Sequence, residues 1–292
     1  MTVGVVGLGL IGGSIGLALR DPDRLIVGYD PNEANANLAL DRACVDRLGS
    51  LAEVAVADVV FVAAPPAKVV DVLDQLKFLR GPDTVITDCT SVKRIVADWA
   101  ESTRDPLFVP GHPMAGHEKS GPGFASAWMF RSARWILSPL PFTQKSAINK
   151  VESLVKAMGA TPLQVPADRH DRHVAVVSHL PHALAALLVQ LADGLDDKNV
   201  AGGSWRDLTR VGGVDPALWS QIFIGNRVEL GRVIGEMSKR LAVLESDVVA
   251  GNEKAVLDFF IAAQEAKGRQ TTSAGTTSET TKTKNLKGRK RV

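Results

Sequence analysis

The sequence predicts an α/β protein, with a parallel sheet in the N-terminal half and an all-helical domain after it. Three observations predict this. Short β-branched runs alternate with helical stretches up to Pro166. The first of these runs leads directly into Gly7-Leu8-Gly9-Leu10-Ile11-Gly12, a GxGxxG at the start of a helical pattern. Beyond Pro166 the strand signals stop and helical periodicity takes over.

In chain order, Val3–Val6, Leu25–Tyr29, Val59–Ala63, Thr84–Thr87, Leu107–Val109 and Trp135–Ser138 read as strands. The helical stretches between them are Ile11–Arg20, Ala34–Arg42, Lys68–Leu79, Val92–Ser102 and Gln144–Met158. Each strand followed by a helix is the pattern of βαβ units. Continuous apolar runs such as Val59 to Ala64 suit strands covered on both faces. The second half reads as helices over His170–Gly194, Asp215–Val249 and Glu253–Lys267, punctuated by Gly202-Gly203 and Gly212-Gly213. The expected domains are 1–166, 167–266 and a basic, disordered tail at 267–292.

Strand, glycine loop and helix in register make the first unit Rossmann-type, a dinucleotide-binding domain. Gly7 permits a tight turn, Gly9 lets the backbone approach a pyrophosphate, and Gly12 lets helix and strand pack closely. Leu10 and Ile11 begin the helix, whose free N–H groups and positive dipole end would face the phosphates. Asp30 closes the second strand, where a carboxylate meets the ribose hydroxyls and repels a 2′-phosphate. Pro31, Asn32 and Glu33 follow with no arginine, so NAD is expected over NADP.

The net charge of +2 is uneven. Residues 267–292 carry eight Lys or Arg against one acid, which places +7 in the tail and −5 in the body. An acidic body argues against nucleic acid as a partner, and the Thr-, Ser- and Lys-rich tail has too few apolar residues to fold alone. No uninterrupted apolar run reaches the roughly 20 residues of a membrane span, and the N-terminus lacks the basic start of a signal peptide. The two cysteines, Cys44 and Cys89, have no metal-type or CxxC spacing, which points to a reducing, cytoplasmic setting.

All six histidines lie in two segments. His112 and His117 fall in Gly111-His112-Pro113-Met114-Ala115-Gly116-His117-Glu118, a loop expected at the carboxyl edge of the sheet, where ligands of open α/β sheets bind. His170, His173, His179 and His182 open the helical domain. No Cys or Glu completes a zinc set with them, so no metal is expected. Imidazole titrates near neutrality and can take the proton of a hydroxyl undergoing oxidation.

These residues carry a family resemblance. The run from Gly111 to Gly121, preceded by Asp88-Cys89-Thr90-Ser91-Val92-Lys93, resembles prephenate dehydrogenase. So do His170-Asp171, Ser178-His179-Leu180-Pro181-His182, Arg206 to Val211 and Asp215 to Trp219, in order along the chain. The resemblance implies NAD-dependent oxidative decarboxylation of prephenate, or of arogenate, on the route to tyrosine. It implies that His112 receives the 4-hydroxyl proton, that Ser91 orients His112, and that Arg210 clamps a substrate carboxylate. His182 would lie near the substrate side chain, and Glu118 would shape charge at the pocket. Asp171 would pair with a neighbouring base or with Arg210. Ser91 would also serve as a helix N-cap, and Trp219 reads as packing. His117 receives no role.

Two rivals remain at this stage. A 3-hydroxyacid or 6-phosphogluconate-type dehydrogenase would need a lysine base in the helical domain, and His170 to His182 contains none. A non-catalytic NAD-binding sensor would leave the histidines unused. The long helices after Pro166 have more apolar surface than one small layer hides, so a homodimer through that domain is expected, and the family resembles it in this.

Overall fold

The computed structural model describes residues 1–195 and 200–282, with side chains to residue 269. Residues 196–199 and 283–292 lie outside this description, and with them the basic end of the expected disordered tail. Two compact units are present, Met1–Val233 and Ile234–Val292.

The first unit is built on a six-stranded, wholly parallel sheet. Its strands are β1 (Thr2–Val6), β2 (Leu25–Tyr29), β3 (Arg47–Leu48), β4 (Val59–Val62), β5 (Val85–Asp88) and β6 (Phe108–Val109), in the order β3-β2-β1-β4-β5-β6. This is the Rossmann order. Strand side chains alternate between faces, and the two faces build two cores. Val3, Val5, Val59 and Phe61 pack under Ile15 and Leu19 of α1 (Leu10–Leu19) and Val151 and Leu154 of α6 (Lys145–Ala157). Val6, Val60, Val62 and Ile86 pack on the other side. Their partners there are Val54 of α3 (Leu51–Ala55), Leu73 and Leu76 of α4 (Val69–Leu79), and Val96 and Trp99 of α5 (Lys93–Thr103). Helix α2 (Glu33–Asp41) completes the βαβ set, N-capped by the Asn32 side chain.

Two sequence expectations change here. The sixth parallel strand is β3 and not the run at Trp135–Ser138. That run is β8 (Arg134–Leu137), the centre of a second sheet with β7 (Gly111–Pro113) antiparallel and β9 (Thr161–Gln164) parallel. The histidine segment expected as a loop is therefore partly a strand. A two-residue strand shows no periodicity, and Pro113 and Pro162 mask edge strands, where proline is tolerated.

The helical part begins with α7 (Ala167–Val174), continues through a π-helical turn at Ala175–His179, and runs on as α8 (Leu180–Leu191). Continuous helix from Ala167 to Leu191 reaches a mean hydropathy of 1.7, enough by length and composition for a membrane span. Its π turn and its pocket-facing histidines mark it instead as a wall of a polar site. After α9 (Gly203–Thr209), Asp215 caps α10 (Pro216–Gly225) by accepting from the N–H groups of Ala217 and Leu218. Asn226 separates α10 from α11 (Arg227–Val249), so the single helix expected from Asp215 to Val249 is two. The second unit holds the rest of α11 and α12 (Glu253–Lys282), which continues past the end expected at Lys267.

Candidate active site

The glycine loop has the geometry its spacing implies. Gly7 sits at φ +88°, and a Cβ there would lie 2.7 Å from the Ala63 carbonyl oxygen. A Cβ on Gly12 would lie 1.8 Å from the Gly7 carbonyl oxygen, so helix and turn touch at that point. A Cβ on Gly9 meets nothing within 4 Å. Open space thus faces the start of α1, where Leu10 and Ile11 lie and no side chain caps the N–H groups. Asp30 braces the turn: its carboxylate accepts from Leu8 N at 2.7 Å and from Asn32 N at 2.8 Å. Each oxygen keeps a further lone pair. Ser14 is buried and its hydroxyl accepts from Ser126 N at 3.0 Å, tying the segment after β7 to α1.

His112 is held from behind by a buried ion pair. Lys93, fully buried at the start of α5, donates from Nζ to the Asp88 carboxylate, to Thr90 Oγ1 and to the Gly111 carbonyl. The other oxygen of Asp88 accepts from Gly111 N at 2.9 Å. Both backbone groups of Gly111 are thereby pinned, which sets the position of the next residue.

A second buried chain meets His112 from α7. Asp171 Oδ1 accepts from Lys93 N at 2.8 Å and Oδ2 from Arg94 N at 2.9 Å, so this carboxylate caps α5 from another helix. Asp171 Oδ1 is also 2.7 Å from His170 Nδ1, and His170 Nε2 is 2.8 Å from His112 Nδ1. Nearby, the Asn226 amide donates to the Asp171 carbonyl at 2.9 Å and to His179 Nδ1 at 3.1 Å. His182 donates from Nδ1 to the Ser178 carbonyl at 2.8 Å, with its ring stacked on Trp219 at 3.6 Å between centroids.

Ser91, His112, Glu118, His182, Arg210 and Trp219 line one cavity of about 340 Å³, together with His179. Burial holds the His112 imidazole well below its usual range, reinforced by the neighbouring His170, Lys93 and His179. Burial likewise lowers His170 against the opposing pull of Asp171, and lowers His182, with Arg210 adding to the effect. His179 is pushed down to about 4 by burial. His112, His179 and His182 therefore face the cavity as neutral imidazoles at physiological pH.

These shifts make stability depend on pH. Unfolded histidines titrate near 6.5, above their folded values, so below that pH the unfolded chain binds more protons and folding weakens. His179 alone contributes on the order of 3 kcal/mol, lost as pH falls from about 6.5 through 4. The urea midpoint is expected to drop between pH 7 and pH 5. A flat profile there would contradict the buried neutral histidines.

The expected site residues divide. Ser91, His112, Glu118, His182 and Arg210 come together at the cavity; Gly7, Gly9, Leu10, Ile11, Gly12 and Asp30 form the loop. Asp171 does not line the cavity, because its oxygens are taken by α5 and His170; of its two expected partners it pairs with the neighbouring base and not with Arg210. Ser91 is not the N-cap of α5, a position held by Val92, and the orienting nitrogen of His112 meets His170 instead. Trp219 is pocket wall as well as packing. Asp88, Lys93, His170 and Asn226 receive no roles from the sequence alone. Besides its place in the Asp88 to Lys93 motif, Lys93 carried the signal of a lysine opening the otherwise apolar face of Val96, Ala97 and Ala100.

Comparison with known proteins places this geometry. The sequence model of the family described as prephenate dehydrogenase, nucleotide-binding domain, matches residues 15–163, and that of the prephenate dehydrogenase dimerization domain matches residues 166–260. A prephenate dehydrogenase of Bacillus subtilis is 35% identical over 238 residues, covering 77% of this chain, while the chain spans 64% of that protein's length. Among solved structures, prephenate dehydrogenase from Aquifex aeolicus in complex with hydroxyphenyl propionate and NAD+ has a TM-score of 0.83 at 29% identity, covering 91% of this chain and 97% of that one. Synechocystis arogenate dehydrogenase has a TM-score of 0.77 at 27% identity, covering 94% and 100%.

Proposed function

The chain belongs to the prephenate dehydrogenase family, and from that premise we propose that it converts prephenate to 4-hydroxyphenylpyruvate, with NAD+ as oxidant, on the route to tyrosine. The observation that carries this is a neutral imidazole, His112, sharing one cavity with the Arg210 cation. Residues 1–166 would hold the cofactor and residues 167–266 would supply the substrate's partners. The open cradle over Gly9 and the uncapped start of α1 fit a pyrophosphate, and Asp30 fits an unphosphorylated ribose. NAD+, when bound, supplies the hydride acceptor.

His112 Nε2 takes the proton of the 4-hydroxyl as hydride leaves C4. The C–C bond to the ring carboxylate then breaks and CO2 departs; its electron pair completes the aromatic ring and leaves the C4 oxygen as a phenolate, which takes the proton back from His112 to form the product hydroxyl. Aromatisation drives that step, so no protein group is needed at the departing carboxylate. Arg210 orients the substrate through a carboxylate, a planar fork matching its two oxygens. A backbone hydrogen bond holds the Glu118 carboxyl below its usual range, with the charges of His117, Arg210 and Lys119 adding to the effect. Glu118 therefore tempers the positive charge at the mouth. Ser91 contributes a hydroxyl to the same wall.

Arogenate is the second reading. A neutral His182 that donates from Nδ1 offers a lone pair on Nε2, which suits an ammonium better than a keto oxygen. NADH formation measured with prephenate and arogenate, each with NAD+ and NADP+, tests both. Activity with neither substrate sinks the proposal, and a preference for NADP+ overturns the role of Asp30. Replacing Arg210 with lysine is expected to raise the substrate KM by about 10- to 100-fold with a smaller change in kcat, the scale of a charged hydrogen-bond pair. Steady-state kinetics checks this.

A second copy of the chain is the proposed partner, meeting it through the region that matches the dimerization domain. Leu187 and Leu191 on α8 are 53% and 77% exposed there, and Phe260 on α12 is 62% exposed. Sedimentation as a 31.1 kDa monomer at micromolar concentration would contradict it. Free thiols at Cys44 and Cys89 suit the cytoplasmic setting of this proposal.

A further inference from the structure

We propose that His170, held by Asp171, is a positioning residue that locks His112 in the tautomer carrying its proton on Nδ1 and its lone pair on Nε2, toward the cavity. This rests on the dehydrogenase reading for its consequence, and on hydrogen-bond geometry for its cause.

Asp171 accepts from two backbone N–H groups that can only donate, those of Lys93 and Arg94. Its carboxylate is thus an acceptor, and His170 Nδ1, 2.7 Å away, must be the donor. A neutral His170 then has its lone pair on Nε2. His112 Nδ1, 2.8 Å from that atom, must carry a hydrogen, which leaves the lone pair of His112 on Nε2. The opposite tautomer would set two lone pairs against each other at 2.8 Å between two buried rings, leaving two buried acceptors without a donor.

Among the described residues, His170 is the hydrogen-bond partner of His112 Nδ1. Lys93 Nζ is engaged by Asp88, Thr90 and Gly111. His179 in the π turn is engaged through Nδ1 by Asn226. His170 is buried and does not line the cavity, so it acts on the reaction only through His112. The same chain has a second effect during turnover. When His112 gains the hydroxyl proton, its Nδ1–H faces the lone pair of His170, whose own N–H faces the Asp171 carboxylate. A buried imidazolium at His112 is thereby stabilised without Asp171 changing its protonation, which offsets the low proton affinity that burial imposes.

Nitrogen-15 NMR of the full-length, histidine-labelled protein at pH 8 reads the tautomer directly, with the His112 signals identified by their loss in His112→Asn. The expected spectrum has Nδ1 protonated and Nε2 bare. A protonated Nε2 on His112 in the parent protein overturns the proposal, whether or not any substrate is turned over. Kinetics gives the second arm. His170→Ala is expected to lower kcat by about 100-fold or more, with substrate KM and NAD+ affinity changed less than about threefold. His170→Gln, whose carbonyl can accept from His112 Nδ1, is expected to recover at least about tenfold of that loss. A folded His170→Ala with kcat within about threefold of the parent overturns the proposal as well. If His170→Ala does not fold, the parent spectrum decides. Absence of activity with prephenate and arogenate alike would remove the dehydrogenase reading while leaving the spectrum to judge the clamp.

Discussion

Replacing His112 with asparagine is expected to lower kcat for prephenate oxidation by about 100- to 10,000-fold, the range a positioned general base supplies. NAD+ affinity should stay unchanged, because the glycine loop and Asp30 are separate from this side chain. Asparagine is close to histidine in size, and its amide can donate to His170 Nε2 as the imidazole does. The buried chain from Asp171 therefore keeps its donor, and the fold should survive. What asparagine lacks is a basic nitrogen facing the cavity. Stopped-flow measurement of NADH formation, with NAD+ binding followed separately, distinguishes the outcomes. Unchanged turnover would remove His112 from the chemistry. A protein that binds NAD+ equally well in both forms and oxidises nothing in either would revive the sensor reading.

Gly12→Ala is expected to be among the most destabilising single changes in the first unit, at about 4 kcal/mol or more, or to prevent folding altogether. The added methyl would lie 1.8 Å from the Gly7 carbonyl oxygen, and no rotamer can relieve a clash between a Cβ and backbone. Nor can the turn retreat: Gly7 N donates to the Tyr29 carbonyl at 2.8 Å, and the Gly7 Cα packs against Ala63. Helix α1 would have to lift off β1. Gly9→Ala is the informative contrast. Its methyl meets no protein atom within 4 Å, so the melting temperature should shift by no more than about 2 °C, the scale of a surface substitution. Its NAD+ affinity should still fall by about tenfold or more, because the methyl occupies the space left for the pyrophosphate. Thermal melts and NAD+ titrations of the two variants check this. A Gly9→Ala protein with parental NAD+ affinity would contradict the cofactor placement.

Much of the fold was legible in the residues. Val3 to Val6 and Val59 to Val62 announced central strands because both faces of the sheet are covered, and the glycine loop announced the first βα turn. Three short strands were not legible. Arg47–Leu48 is too brief for periodicity, and Gly111–Pro113 and Thr161–Gln164 carry glycine or proline. Their pairing comes from neighbouring strands and not from local propensity. At the site, the histidine clusters were readable as acid–base chemistry, and the roles of His112, His182 and Arg210 came from the family resemblance. Trp219 was not, since an aromatic that packs and one that walls a pocket share the same pattern in sequence.

By itself the sequence determined the glycine loop that opens the first βα turn and which residue types could act on a hydroxyl. Backbone conformation at Gly7 and close contact at Gly12 are local requirements that only glycine meets, so they are written in one short run of residues. Which donor each buried acceptor receives was decided by the tertiary structure alone. Asp171 meets α5 N–H groups 77 and 78 residues away in sequence, and His170 meets His112 across 58. A carboxylate or an imidazole accepts from whichever donor packing brings within 3 Å, and among buried groups that choice is what the proposed tautomer of His112 rests on.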